Sequence, residues 1–404
     1  MTGMLSVGEA RSRIVAAVEQ PTHVEVIPVI EAATRVLAEP IIATRTQPPF
    51  AASAMDGYAV RAEDLAIGSR LTLAGESAAG RGFHNALLPN QAVRIFTGAP
   101  VPQGADTILI QENATIEMGL VYPTHTETKG RYVRAAGTDF TTGQAFFGAG
   151  YRLRPKDMAL AASLGPATVK VHRKPRIAVL ATGDELVNPG EVPGPDQIIA
   201  ANHLSIVAMC EKHGAEVRFL GIAADTLPAL ASAITAAQRW QADVLVTMGG
   251  ASVGDHDLVQ QALAIAGMDL DFWRIAMRPG KPLMFGALGS MKVLGLPGNP
   301  ASSVVCAHIF LNSLIAALLG RSDARSDTTQ TGRLGATLAA NDQREDYLRA
   351  TLSVSEDGVC VLTPLSQQDS ALTRVLAMAD ALVIRPPHAP AALAGDRCGF
   401  ILLD

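Results

Sequence analysis

Cysteine is scarce in this chain: only Cys210, Cys306, Cys360 and Cys398 occur, far apart and with no C-x-x-C pair. That excludes a zinc knuckle and a disulfide scaffold, and leaves reduced, mostly buried thiols as the expectation. An excess of positive charge is also missing. Lys and Arg number 33 against 38 Asp and Glu, a net charge of −5, so bulk electrostatics give nucleic-acid binding no support. Any anionic ligand would have to rely on local basic patches. The first residues, Met1-Thr2-Gly3-Met4-Leu5, lack a basic stretch followed by an apolar core, so no secretory signal is expected. Residues 304–319 are the most apolar helix candidate, but His308 and Asn312 interrupt them and their length is short for a bilayer. Internal repeats and low-complexity tracts are absent. The expectation is a cytoplasmic protein with neither membrane nor nucleic acid as partner.

What is present fits compact domains. Hydrophobic residues make up 48% and charged residues 18% of 404 positions, too many residues for one ordinary core. Ser6-Val7-Gly8-Glu9 is a capping-box pattern ahead of Ile14, Val15 and Val18 at helical spacing. A second helix is predicted over 29–38, with Ile30, Ala33, Val36 and Leu37 on one face. From about residue 50 to 140 short β-prone runs (70–73, 92–96, 107–111) alternate with Gly, Pro and Asn, the texture of a small β domain. A helix is expected at 156–163. From Lys174 onward strands (177–181, 217–222, 243–247) alternate with helices (202–213, 228–240), which predicts βαβ units and a mostly parallel sheet. A polar link near 320–331 precedes further strand-like runs at 347–354, 358–362 and 381–385.

The fold class expected is therefore multi-domain α/β: a doubly wound, mostly parallel α/β domain in the middle, an interleaved helical and β-rich N-terminal part, and a small C-terminal β domain. The boundaries are 1–45 with 141–173, 46–140 as the inserted β-rich domain, 174–322, and 323–404.

Three loops carry the chemistry. They are Gly249-Gly250-Ala251-Ser252-Val253-Gly254-Asp255-His256-Asp257, Arg278-Pro279-Gly280-Lys281-Pro282 and Leu296-Pro297-Gly298-Asn299-Pro300-Ala301-Ser302. Glycines at strand ends let backbone N–H groups approach an anion, and a following helix N-terminus adds a favourable dipole. In a parallel sheet ligands bind beyond the carboxyl ends of the strands. Glu185, in Thr182-Gly183-Asp184-Glu185, and Asp257 fall at such ends, and Asp225 follows another. Two hard carboxylates plus substrate phosphates suit Mg²⁺, which keeps waters and seldom has a full protein cage. Aspartates in Gly loops more commonly cap helices or close turns. Arg274, Arg278 and Lys281 offer cations, and the prolines around Lys281 stiffen its loop. Gly298, Asn299 and Ser302 form the turn into an apolar helix, where Ser302 could equally be an ordinary cap. His256, flanked by Asp255 and Asp257, could look like a metal ligand.

Together with Ser53-Ala54-Met55-Asp56-Gly57-Tyr58-Ala59, Thr97-Gly98-Ala99-Pro100, Gly104-Ala105-Asp106 and Gly137-Thr138-Asp139-Phe140, these loops resemble the MoeA family, the molybdopterin molybdenumtransferases, also similar to the C-terminal part of gephyrin. Each motif alone is weak, but their order over some 250 residues is specific. The resemblance implies four domains and an elongated homodimer whose cleft joins the middle and last domains of one subunit to the β-rich domain of the other. It implies molybdenum cofactor biosynthesis: adenylylated molybdopterin and molybdate react with Mg²⁺ assistance, AMP is released, and molybdenum stays on the dithiolene.

Carried onto this sequence, it implies catalytic roles for Asp56, Asp139, Glu185, Asp225, Asp257, Arg274 and Arg278, with Glu185, Asp225 and Asp257 at the metal. Gly249, Gly250, Ser252, Gly254, Lys281, Gly298, Asn299, Ser302, Arg349 and Ser370 would bind substrate. Thr97 and Asn202 fall within matched motifs without an independent argument, and Asp184 ranks below its neighbour Glu185. Other enzymes that take up the molybdenum cofactor are further expected partners. Two rival readings are a molybdopterin adenylyltransferase, which the 174–322 stretch alone would fit, and a gephyrin-like scaffold.

Overall fold

The computed structural model describes residues 4–249 and 258–403. At its centre lies a six-stranded sheet built from β1 (Arg176–Thr182), β2 (Glu216–Ala223), β3 (Val244–Met248), β4 (Asp269–Trp273), β5 (Met284–Leu288) and β6 (Met291–Leu296). The order is β2-β1-β3-β6-β5-β4. The first four strands are parallel; β5 runs antiparallel to β6, and β4 antiparallel to β5. β4 therefore points the same way as the parallel set. The central strands are unbroken apolar runs because both faces are covered.

Helices α1 (Asn202–Lys212) and α4 (Pro300–Leu318) pack on one face with the N-terminal helix Val7–Ala16, burying Ile14, Ile206 and Phe310. Helices α2 (Leu227–Arg239) and α3 (Leu258–Ile265) cover the other through Leu230, Ile234 and Leu263. This is the expected doubly wound domain. The N-terminal helix begins at Ser6, whose Oγ accepts the Glu9 N–H at 3.2 Å. α4 starts earlier than the sequence pattern suggests, with Pro300 at its first position, and contains a π-helical stretch at Ala307–Leu311. At 19 residues and mean hydropathy 1.8 it is long and apolar enough to cross a membrane. Here 78% of its apolar window is buried inside the protein, so the same apolarity serves the core.

Before this sheet, strand Val24–Pro28 pairs with Thr168–His172, and Ile41–Ile42 with Ala145–Phe146, around a core of Leu37, Phe140, Leu153 and Val171. Between these segments the chain forms a separate six-stranded sheet, spanning Gly57–Val60 to Leu120–Pro123. The helix expected at 29–38 does not form. Only Val29–Glu31 makes a 3₁₀ turn; Thr34 then takes φ 66°, and Val36 and Leu37 bridge to Arg152 and Val171. Their apolar spacing reflects burial by extended pairing with chain far away in sequence, and that tertiary context overrides the local period.

After α4 come β7 (Gln330–Leu334), β8 (Glu345–Val354), β9 (Cys360–Pro364), β10 (Ala381–Arg385) and β11 (Arg397–Leu402). β8 pairs with β9 through its second half and β10 through its first, closing the sheet into a small barrel. β7 and β11 have no counterpart among the expected strands. Met277–Arg278, from the central domain's β4–β5 loop, adds to the start of β8. That short pairing couples the two domains beside the candidate site.

Candidate functional site

The carboxyl ends of β1, β2, β3, β4 and β6 share one edge of the sheet, and each continues directly into a loop with chemistry. β3 runs into Gly249, with φ 98°; a Cβ there would lie 2.8 Å from both the carbonyl oxygen and Oγ1 of Thr182. β6 runs into Gly298, where a Cβ would lie 3.6 Å from the Gly249 Cα. The left-handed φ and the close approach to Thr182 require glycine at Gly249, while the Gly298 contact is an ordinary one that sets the two loops side by side. The Asn202 side chain, at the start of α1, donates from Nδ2 to the Gly298 carbonyl at 2.7 Å. Asn202 is thus a positioner of the Gly298 turn, which gives it the argument that sequence lacked.

At the ends of β1 and β2 three carboxylates meet. The Asp225 N–H donates to Asp184 Oδ1 at 3.0 Å. Burial first, then the negative charges of Asp184 and Glu185, hold the Asp225 carboxyl above its usual range. The Glu185 carboxylate folds back over Gly183, at φ 145°, where a Cβ would run into it. Asp184, ranked low from sequence, belongs to this group. Among the described residues no three His, Cys, Asp or Glu side chains come together closely enough to hold a metal by themselves. Asp257, with Gly250, Ser252, Gly254 and His256, lies outside the described residues.

The basic side is divided. Arg274 leaves β4 at φ 81°, stacks its guanidinium 4.4 Å from the Trp273 ring centroid, and has no partner for Nε among the described residues. Lys281 is exposed, and its carbonyl accepts the Ile275 N–H. Arg278 reaches the C-terminal domain instead, bonding Asp342 at 3.3 Å, Asn341 at 3.1 Å and also Asp346. Its charge is largely compensated there, so Arg278 works as an interdomain tie before it works as an anion clamp.

The N-terminus of α4 is covered by the C-terminal domain. Asn299, in the cap position, donates from Nδ2 to Ser370 Oγ at 2.9 Å, and the Ala301 N–H donates to the Ser370 carbonyl at 2.9 Å. Ser302 is buried in the first turn, 5% exposed. Arg349, 2% exposed, reaches the carbonyls of Tyr347 and Asp369 only at 3.4 Å, and its Nε has no partner among the described residues. Burial pushes its pKa below the ordinary guanidinium value, opposed by the charges of Asp369 and Asp346. An under-bonded buried guanidinium that reaches the Asp369 carbonyl, next in sequence to Ser370, is suited to an oxyanion.

Asp56 and Asp139 belong to the N-terminal part. Asp56 Oδ1 accepts the Thr97 N–H at 2.7 Å and the Thr97 hydroxyl at 2.8 Å, and those bonds lower its pKa. The two motifs that carry Asp56 and Thr97, 41 residues apart, therefore form one unit. Asp139 is exposed, and its N–H donates to the Gln47 carbonyl.

A doubly wound domain with a carboxylate trio, glycine-lined loops and a helix N-terminus on one edge is the architecture of a protein that handles phosphate-bearing ligands. The comparisons make this specific. Residues 5–165 match the MoeA N-terminal region (domain I and II), 178–317 the probable molybdopterin binding domain, and 331–403 the MoeA C-terminal region (domain IV). The chain is 35% identical to a molybdopterin molybdenumtransferase of Haemophilus influenzae, over 94% of each chain. It is 32% identical to one of Bacillus subtilis, over 87% of this chain and 83% of that one. A crystal structure of a molybdopterin biosynthesis MoeA protein from Pyrococcus horikosii superimposes with a TM-score of 0.83 at 28% identity, covering 99% of both chains. The chain belongs to the MoeA family, the molybdopterin molybdenumtransferases, and is a transferase.

Proposed function

We propose that this chain takes adenylylated molybdopterin and molybdate, cleaves the phosphoanhydride, releases AMP and leaves molybdenum on the dithiolene sulfurs. The observation that carries the reading is the α4 N-terminus clasped by Ser370 beside the under-bonded Arg349, on the edge that also carries Asp184, Glu185 and Asp225. The Gly249 and Gly298 loops would bring backbone N–H groups against the phosphates, with Arg274 and Lys281 flanking them. Arg349 and Ser370 would hold the tetrahedral oxyanion. An oxygen of water or molybdate then attacks phosphorus as the bridging P–O bond breaks and AMP leaves, so the residues act by positioning and charge stabilisation.

Asp184, Glu185 and Asp225 do not make a metal cage by themselves, but Mg²⁺ takes only one or two carboxylates beside substrate phosphates. These hard oxygens lie on the same edge, where burial and then the charges of Asp184 and Glu185 raise the Asp225 pKa. Glu185 and Asp225, together with Asp257, would hold the ion, which when bound neutralises charge on the phosphoanhydride. We propose further that the protein acts as a homodimer, the Asp56–Thr97 unit of one copy completing the cleft of the other. The exposed apolar strip of Val24, Val26 and Ile30 supports burial against a second copy.

The test is AMP release from purified adenylylated molybdopterin with Mg²⁺, with and without molybdate. Molybdate-dependent release is expected. Binding without cleavage would make the chain a carrier or scaffold, and formation of AMP-pterin from ATP would make it an adenylyltransferase.

A further inference from the structure

The loop that carries Ser370 leaves the barrel sheet just after β9, and one side chain bonds it back to β8. β9 ends at Pro364, opposite Ala350 of β8, and the Leu365 N–H makes one more bond, 2.9 Å to the Arg349 carbonyl. The backbone then leaves the sheet, and the Arg349 N–H on that side would be without a strand partner. Gln368 takes the strand's place. Its Oε1 accepts the Arg349 N–H at 3.0 Å, while its Nε2 donates to the carbonyls of Arg349 at 2.9 Å and Leu365 at 2.8 Å. Both ends of one amide are thus consumed, and three backbone groups are satisfied by a single half-buried side chain.

Beyond it, Asp369 Oδ1 accepts the Ala371 N–H at 2.8 Å, turning the chain so that Ser370 faces the first turn of α4. There it meets Asn299 Nδ2 and the Ala301 N–H. The first N–H groups of a helix have no partner within it, so Ala301 depends on Ser370 for its bond.

We propose that Gln368 is a positioning residue for the oxyanion subsite: its amide holds the 365–372 loop on β8 so that Ser370 stays on the α4 N-terminus beside Arg349. The inference deepens the molybdate-handling reading above and rests on it for its kinetic consequence only. Losing the amide frees the loop and removes Ser370 from the helix end, while the closed β-barrel, held by its own ladders, remains.

Two readouts test it. The first is hydrogen exchange, which follows the Ala301 amide independently of turnover. In Gln368→Met, Ala301 loses protection while amides of β10 and β11 keep theirs. Unchanged Ala301 protection overturns the proposal, whether or not the protein releases AMP. The second is kinetic. The KM for molybdate rises about tenfold in Gln368→Met with kcat within about twofold, as expected for losing one buried hydrogen-bonding partner set. Gln368→Glu keeps the acceptor but, ionised, cannot donate, so its Ala301 protection and molybdate KM move in the same direction as those of Gln368→Met. A fall in kcat with KM unchanged in either variant also overturns the assignment. Absence of molybdate-dependent AMP release by the wild type would refute the functional reading instead, and the exchange result still decides the role of Gln368.

Discussion

Asp225 shows how a single carboxyl reports on the site around it. Its folded-state pKa lies above the unfolded value of about 3.9. The stability this group contributes is fully present below the unfolded pKa and is lost as pH rises through the raised one. Metal-free protein therefore carries an electrostatic penalty at neutral pH, and a divalent cation bound at the trio would relieve it. Mg²⁺ should raise the thermal midpoint clearly at a pH of about 7.5 and little at about 4.5, where the carboxyl is nearer its protonated form. Asp225→Asn should raise the midpoint of the metal-free protein and remove most of the Mg²⁺ response, both read by scanning fluorimetry. A full Mg²⁺ shift in that variant would take Asp225 out of the metal set. From sequence the residue was identifiable as a carboxylate after a strand. Its neighbour Asp184 was not, because adjacent residues usually diverge in direction; here the backbone of Asp225 itself bends onto Asp184.

At the scale of elements, the 278–282 loop is seated on α4 by a glycine. Gly280 has φ 116°, and a Cβ there would run into the Sγ of Cys306, which is fully buried in the first turns of α4. Burial raises the pKa of that thiol, so it stays protonated and acts as an apolar wall. Gly280→Ala should destabilise by about 1–3 kcal/mol through overpacking and the left-handed φ. Adding Cys306→Ala should restore part of the loss, since it frees the space but leaves the backbone strain. Thermal midpoints of the two single variants and the double variant measure this directly. Full additivity of the two single losses would show that the contact is not the cause. The loop was legible as a stiff, Pro- and Gly-containing turn; that its glycine exists to fit a cysteine 26 residues away was not. The 29–38 segment shows the reverse failure, in which a helical apolar period is produced by partners at Arg152 and Val171.

The proposed homodimer belongs to the scale of the whole molecule. Asp56 and Thr97 form a ready-made acidic unit within the N-terminal β-rich sheet. If a second copy supplies that unit, Asp56→Asn and Glu185→Gln should each be inactive alone. Refolded together in equal amounts they should recover about a quarter of wild-type AMP release, because half of randomly paired C₂ dimers are mixed and each holds one intact site. No recovery from mixed dimers would place Asp56 in the site of its own chain. The joint between the central and C-terminal domains belongs to this scale as well. Arg278 with Asp342 and Asp346, and Asn299 with Ser370, tie the barrel to the sheet edge at two points.

Sequence by itself determined the element alphabet of the central domain, because unbroken apolar strands and capped amphipathic helices are local patterns, and it determined the loops at the strand ends through their glycines, prolines and charges. It also carried the family motifs in order. The tertiary structure alone decided which of those charges are spent and which are available. Arg278 is neutralised by carboxylates more than 60 residues away, whereas Arg349, deep in a barrel strand, has no partner for Nε among the described residues. It also decided that Gln368, unremarkable in the string, substitutes for a missing strand. The physical reason is the same in each case. Burial and hydrogen-bond satisfaction depend on what packs against a residue, and those partners come from another domain for Arg278 and from distant chain within the barrel for Arg349 and Gln368.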